Sequence, residues 1–209
     1  MNRKIFFISG IGTNVGKTII SAILTEAWKA DYWKPIQSGD LHYSDTMKTK
    51  ELVSNNISKF HNEKFKLTEP LSPHASAKID KVKISIHDFQ LPNTNNHLIV
   101  EGAGGLMVPL NHEGDLIIDL IKHLNIPVIL VSQNYLGSIN HTLLSIKELQ
   151  NQKIPIEGII FNGETNTETE AIIEKISGVK TLCKIPPLKE LDKKSIAQII
   201  EQTNYLNQN

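Results

Sequence analysis

Apolar residues enter this chain in two alternating rhythms. Near-continuous runs such as Ile5-Phe6-Phe7-Ile8, Leu98-Ile99-Val100, Val128-Ile129-Leu130-Val131 and Ile159-Ile160-Phe161 read as strands buried on both faces. Between them lie stretches whose apolar positions recur every three or four residues, the period of an amphipathic helix. Leu116, Ile117, Leu120, Ile121 and Leu124 make one such face, and Leu143, Leu144, Ile146 and Leu149 another. The pattern predicts a strand over 4–9, a helix over 16–30 and a short strand within 32–39. Pro35 lacks a ladder donor and should end that strand or place it at an edge. A helix over 44–55 follows, with Ser44 able to cap it. Residues 54–92 are polar and broken by Pro70, Pro73 and Pro92, with room for short helices near 74–80 and 85–90. A strand from His97 ends in Glu101 and a glycine loop, and Val108-Pro109-Leu110 continues extended. Helices over 116–124 and 138–150 then alternate with strands over 127–131 and 156–161, the latter closing at Asn162. A helix over 167–176 stops at Gly178, a last strand spans 179–185, a final helix 195–205, and 207–209 form a frayed tail. Alternating strands and helices predict an α/β fold, a doubly wound and mainly parallel sheet with helices on both faces. No repeat or linker interrupts it, so residues 1–209 read as a single domain.

Composition narrows the partners. The 209 residues can close one sizeable core, and 40% apolar with 21% charged residues suits a soluble globular protein. Lys plus Arg and Asp plus Glu both number 22, so no overall basic balance marks a dedicated nucleic-acid binder. Cys183 is the single cysteine, so an intramolecular disulfide and a multi-cysteine metal site are both excluded, and it reads as a small core residue. Arg3-Lys4 before the first apolar run faintly resembles a secretion signal, but the run is too short and leads straight into a glycine loop. With no apolar stretch near ~20 residues, no membrane span is expected, and a cytoplasmic location fits.

That glycine loop, Gly10-Ile11-Gly12-Thr13-Asn14-Val15-Gly16-Lys17-Thr18, lies between a buried strand and a helix. Strand, glycine loop, Gly-Lys-Thr and helix is the order of a phosphate-binding P-loop, so the fold is expected to be P-loop NTPase-like. Glycine lets backbone N–H groups approach an anion, and the helix start adds unpaired donors and a positive dipole end. Lys17 can reach the terminal phosphates of ATP, and the Thr18 hydroxyl can ligate Mg²⁺. Five residues separate Gly10 from Gly16 where the common loop has four, which marks a variant subfamily. In an open parallel sheet, ligands bind beyond the carboxyl ends of the strands. Residues 10–18, 34–38, 101–105, 133–138 and 162–163 should therefore converge. Six of the twelve glycines fall in the first and third of these sets, which favours close backbone approach to a ligand there.

Glu101, after an apolar strand and before Gly102-Ala103-Gly104-Gly105, suits the acid that holds Mg²⁺ in a P-loop site. Lys34, between Trp33 and Pro35, could be an ordinary surface lysine or a cation that stabilises charge in phosphoryl transfer, with Ser38 beside it. Asp45 by itself reads as a first-turn acid favoured by the helix dipole. The turn at Gly137-Ser138-Ile139-Asn140 opens a helix and reads as a capping turn or a carboxylate receptor. His42, His61, His74, His87, His97, His112, His123 and His141 show no metal-ligand spacing among themselves.

The P-loop stretch, then Lys34-Pro35-Ile36-Gln37-Ser38-Gly39, then Val100-Glu101-Gly102-Ala103-Gly104-Gly105, then Leu136-Gly137-Ser138-Ile139-Asn140-His141, together resemble the dethiobiotin synthetase family, in order and across nearly the whole chain. The longer loop is typical of that family. The resemblance implies an ATP-dependent cyclo-ligase of biotin synthesis, joining 7,8-diaminononanoate and CO₂ into dethiobiotin with release of ADP and phosphate. It implies catalytic roles for Lys17, Lys34 and Thr13. Thr18, Asp45 and Glu101 would surround Mg²⁺. Thr13, Lys34 and Ser38 would face the diamine, its carbamate and the γ-phosphate. Gly137, Ser138, Ile139 and Asn140 would receive the substrate carboxylate from the second subunit of a homodimer. Asn14, Val15, Gly16, Ile19, Gly102, Ala103 and Gly104 would border ATP. Asn162 and Gly163 would meet the adenine, and Pro186, Pro187 and Leu188 would border base and ribose. Ile11-Gly12 stands where relatives usually carry Thr-Asp, so any role of that acid is missing here.

Three alternatives are testable on the same residues. A partitioning or septum-positioning ATPase carries a second lysine five positions before the P-loop lysine, where this chain has Gly12. A cobyrinate-type amide synthetase would need a further glutaminase domain. A nucleotide-binding module without chemistry would leave Lys34 and Ser38 idle.

Overall fold

A computed structural model describes residues 3–207. In chain order, β1 (Ile5–Gly10) leads into α1 (Lys17–Trp28), then β2 (Asp31–Trp33), β3 (Ile36–Ser38), a 3₁₀ turn (Leu41–Tyr43) and α2 (Asp45–Leu52). The polar middle holds β4 (Phe60–His61), β5 (Phe65–Leu67), α3 (Pro73–Ile79) and a 3₁₀ turn (Ile86–Asp88). β6 (Leu98–Gly105), α4 (Ile117–Leu124), β7 (Val128–Ser132), α5 (Ser138–Asn151), β8 (Ile156–Asn162), α6 (Thr167–Ser177), β9 (Thr181–Ile185) and α7 (Lys193–Gln202) complete the regular alternation.

Among the described residues, seven strands form one sheet in the order β4-β2-β6-β1-β7-β8-β9, and β3 pairs with β5 in a separate two-stranded sheet. Every pairing between these strands is parallel. Side chains alternate across the main sheet. Phe6 and Ile8 of β1 join the core beneath α1, α2 and α7, with Trp28, Leu52, Ile196 and Ile199. Phe7, between them, faces the opposite core beneath α3 and α4, with Ala77, Ile117, Leu120 and Ile121. Leu130, Ile159 and Phe161 extend that face under α5 and α6, against Ile146 and Ile173. Both faces are covered by helices, which is why the strands carry apolar side chains at successive positions.

Several sequence expectations change. The 32–39 strand is two strands in two sheets. β2 ends before Lys34-Pro35, and β3 leaves the main sheet to pair with β5. The Pro35 carbonyl accepts the N–H groups of Lys64 and Phe65, so the break itself is hydrogen-bonded. β4 and β5 are too short, and too mixed in polarity, to show a period in the sequence; pairing with β2 and β3 makes them strands. Glu101 does not end its strand: β6 runs on to Gly105, which pairs with Gly10 of β1, and Gly102 within it lies against the Phe7 ring, where a Cβ would come within 2.6 Å. The expected helix near 85–90 is one 3₁₀ turn capped by Ser85. Leu144 sits on the solvent side of α5 rather than in its apolar face. The last helix begins at Lys193, where Asp192 caps Ser195 N at 2.8 Å. It gives way to a 3₁₀ turn (Asn204–Asn207) packed through Leu206, so Asn207 is structured, while 208–209 of the expected frayed tail lie outside the described residues. Ser44 caps α2 as expected, accepting Met47 N.

Candidate active site

The carboxyl ends of β1, β2 and β6, with β3 and α2, surround a cavity of about 1300 Å³. Its floor is the P-loop. Gly16 has φ 91° and a Cβ there would stand 2.1 Å from Asn162 Nδ2, so the loop closes only with glycine at that position. No side chain caps the start of α1, which leaves its first-turn N–H groups open to a ligand. Lys17 Nζ donates to the Gly12 carbonyl at 2.9 Å. Burial pushes Lys17 down to about 8, with Glu101 pulling against it.

Beside the loop lies a network of buried charge. Glu101 accepts from Thr18 Oγ1 at 2.9 Å, Tyr32 OH at 2.9 Å and Lys34 Nζ at 3.0 Å. Lys34 Nζ also meets Asp45 Oδ2 at 2.7 Å, and its side chain is only 6% exposed. Burial opposes the charge of Lys34, but Glu101 and Asp45 outweigh it and hold the ammonium above its ordinary range. Burial likewise opposes the charge on Asp45, yet Lys34 and Lys48 keep its carboxyl below the usual range. The Tyr32 phenol is pushed well up by burial and by Glu101, so it stays a donor. Gln37 orients the α2 end of this network: Oε1 accepts Asp45 N at 3.2 Å while Nε2 donates to Gly39 O at 2.9 Å.

Of the residues singled out in the sequence, Thr13, Asn14, Gly16, Lys17, Thr18, Ile19, Lys34, Ser38, Asp45, Glu101, Ala103 and Gly104 line the cavity. Ser38 Oγ is buried there without a hydrogen-bond partner among the described residues. Others stand apart from it. Val15 is core, and Gly102 is packed on Phe7. Asn162 lies behind the loop, donating from Nδ2 to Val15 O at 3.1 Å, with Gly163 next to it near Gln133. Pro186 and Pro187 are exposed beyond β9, and Leu188 rests on the α1 core. Gly137, Ser138, Ile139 and Asn140 start α5 away from the cavity. Cys183 is buried, its thiol pushed up to about 12.

Sequence reasoning missed Tyr32, which reads as one more apolar strand position, and Lys48, which helix spacing could have found three residues after Asp45. It also missed Leu191, Asp192, Lys193 and Lys194, which line the cavity because α7 packs beside α1 and α2; nothing local in the sequence signals that.

Residues 4–195 match a family described as an AAA domain. The ATP-dependent dethiobiotin synthetase of Christiangramia forsetii is 51% identical over 95% of this chain and 95% of its own length. That of Cytophaga hutchinsonii is 47% identical over 92% and 93%. Among solved structures, the septum site-determining protein MinD of Pyrococcus horikoshii, complexed with Mg-ADP, superposes with a TM-score of 0.55, covering 100% of this chain and 92% of its own, at 15% identity. At that identity the likeness concerns the fold alone. With relatives at this identity along nearly its whole length, and a P-loop beside the Lys34–Glu101 network, the chain belongs to the ATP-dependent dethiobiotin synthetase family.

Proposed function

We propose that this protein uses ATP to carboxylate and cyclise 7,8-diaminononanoate with CO₂, yielding dethiobiotin, ADP and phosphate. The observation that carries the reading most directly is Lys34: a buried lysine held between Asp45 and Glu101 at the edge of the P-loop cavity. A module that only bound nucleotide would have no use for that cation, whose burial alone is costly.

One amine of the diamine attacks CO₂ and forms a carbamate. The carbamate oxygen takes the γ-phosphoryl group of ATP. The second amine then attacks the carbonyl carbon of this mixed anhydride, closes the cyclic urea and expels phosphate. Lys17 releases Gly12 O to meet the β- and γ-phosphates, joined by the open N–H groups of the first turn of α1. Lys34, fixed by two carboxylates, faces the transferring group with no reorganisation of its own. Thr13 and Ser38 supply hydroxyls to the diamine end, and the unpartnered Ser38 Oγ is ready to accept from an amine. Gly16, Ile19, Ala103 and Gly104 would shape the phosphate end, with Val15 and Gly102 packed behind it, and Asn14 would lead from the cavity to a nucleoside end outside it, at Asn162, Gly163 and 186–188.

Thr18, Asp45 and Glu101 would hold Mg²⁺. The donor set fits it: a hydroxyl and two carboxylates, all hard oxygens, with Thr18 Oγ1 already 2.9 Å from Glu101. Mg²⁺ bound with ATP neutralises charge on the β- and γ-phosphates.

The protein acts as a homodimer of single-domain subunits in the cytoplasm, without nucleic-acid or membrane partners. An exposed apolar stretch supports self-association: Leu136 is fully exposed, flanked by Tyr135 and Ile139 at the start of α5. A second subunit would bring its residues 137–140 to the substrate carboxylate. No helix among the described residues is long and apolar enough to cross a membrane.

The test is incubation with ¹⁴C-bicarbonate, MgATP and the diamine. Acid-stable label in a product, matched by released phosphate, is expected; ATP hydrolysis without label overturns the reading.

A further inference from the structure

Asp45 meets an ammonium group at each of its oxygens. Lys34 Nζ sits 2.7 Å from Oδ2 and Lys48 Nζ 3.2 Å from Oδ1, so both oxygens of a proposed metal-facing carboxylate are occupied by ammonium groups. The two lysines are held differently. Lys34 is buried and tied a second time, to Glu101 at 3.0 Å. Lys48 lies one turn along α2 from Asp45, its side chain is 33% exposed, and a second carboxylate, Asp40 Oδ2, stands 3.8 Å away. The Asp40 side chain is itself 64% exposed and at 3.8 Å only loosely engaged. The Tyr43 ring, 5.6 Å from Nζ, borders the same space.

We propose that Lys48 is a resident counter-cation of the metal site. It holds Asp45 Oδ1 while the site lacks a divalent ion and transfers to Asp40 when one arrives. This rests on the proposed metal role of Thr18, Asp45 and Glu101. The reason is electrostatic: an ammonium 3.2 Å from Asp45 Oδ1 repels an arriving divalent ion and must move aside before that oxygen can face the metal, whereas Lys34 is pinned by Glu101 as well. A lysine on a flexible stem, with a second carboxylate in reach, can leave without itself losing a partner. Lys48 is therefore a positioning residue. It preorients Asp45 and sets the divalent-ion concentration at which the site fills, because each metal ion must displace it. A plain helix-surface ion pair would instead add a few tenths of a kcal/mol of helix stability and leave metal affinity untouched.

The experiment is direct titration of Mn²⁺ by electron paramagnetic resonance with the full chain and a non-hydrolysable ATP analogue, with thermal melts of each variant. Lys48→Met is expected to tighten Mn²⁺ about tenfold, the order of one partly screened charge. Lys48→Arg, which keeps the charge, should stay within about twofold of wild type on the same reasoning. Asp40→Asn removes the second berth and should weaken Mn²⁺ about threefold by the same partial screening. Unchanged or weaker binding in a folded Lys48→Met overturns the proposal, and an unchanged Asp40→Asn overturns the transfer to Asp40. Wild-type protein that binds no Mn²⁺ with the analogue overturns the metal site itself, and the proposal with it.

Discussion

Lys17 and Lys34 are both buried cations on one cavity, and their surroundings drive them in opposite directions. Lys17 rests on a single carbonyl, Gly12 O, and burial takes it down to about 8. Lys34 is more deeply enclosed yet held above its ordinary range, because Glu101 and Asp45 touch it on two sides. Burial by itself does not decide the charge of a lysine; the number of carboxylates within hydrogen-bond reach does. The difference suits two tasks. A lysine with one weak tie can leave it for a phosphate. A lysine locked between two acids stays in place, which is what the proposed function asks of a fixed charge at a transition state.

The comparison breaks most visibly if Lys17→Ala leaves turnover intact. That substitution should cut kcat/KM for ATP by about 10³-fold, near 4 kcal/mol, as removal of a charge clamp does; steady-state kinetics at varied ATP checks it. Lys34→Gln should lower kcat by about 10²-fold while changing ATP affinity less, as expected for an interaction made in the transition state. Equal losses in both parameters would place Lys34 with Lys17 as a binding cation. The smallest effect is on pH. In the free protein Lys17 is mostly charged at pH 7 and half neutral near 8. Bound phosphate favours the charged form, so nucleotide binding above pH 8 takes up a proton. The ATP analogue should then bind more weakly as pH rises from about 8, by up to about tenfold per unit. Lys34, with its raised value, adds nothing over that range. Calorimetry in buffers of different ionisation heat reads the proton uptake, and a flat affinity from pH 7 to 9 contradicts the assignment.

The two lysines also differ in how far the sequence announces them. Lys17 stands in a motif whose strand, loop and helix are adjacent in the chain, so its place could be read directly. Lys34 had two readings, surface or site, and only packing separates them: β2 lies between β4 and β6, which sets Lys34 beside Glu101, 67 residues away. Asp45 is similar. As a first-turn acid of α2 it was legible as a helix feature, whereas its contact with Lys34 comes from the packing of the helix start, where Asp45 N donates to Gln37, beside the end of β2. The excursion through 54–92 was opaque because β4 and β5 carry no period of their own and exist as strands only by pairing with β2 and β3.

What the sequence determined by itself is what short-range chemistry dictates. Runs of apolar residues buried on both faces became the parallel strands, three-to-four spacing became the covering helices, and the glycine stretch before Lys17-Thr18 became the tight loop from β1 into α1. The tertiary structure alone decided which distant polar groups share a dielectric-poor corner. Tyr32, Lys34, Asp45 and Glu101 come from β2, the chain just after it, α2 and β6, and no spacing in the sequence encodes their meeting. Strand order and crossover packing bring them together, and burial then makes their mutual charge strong enough to set each one's state.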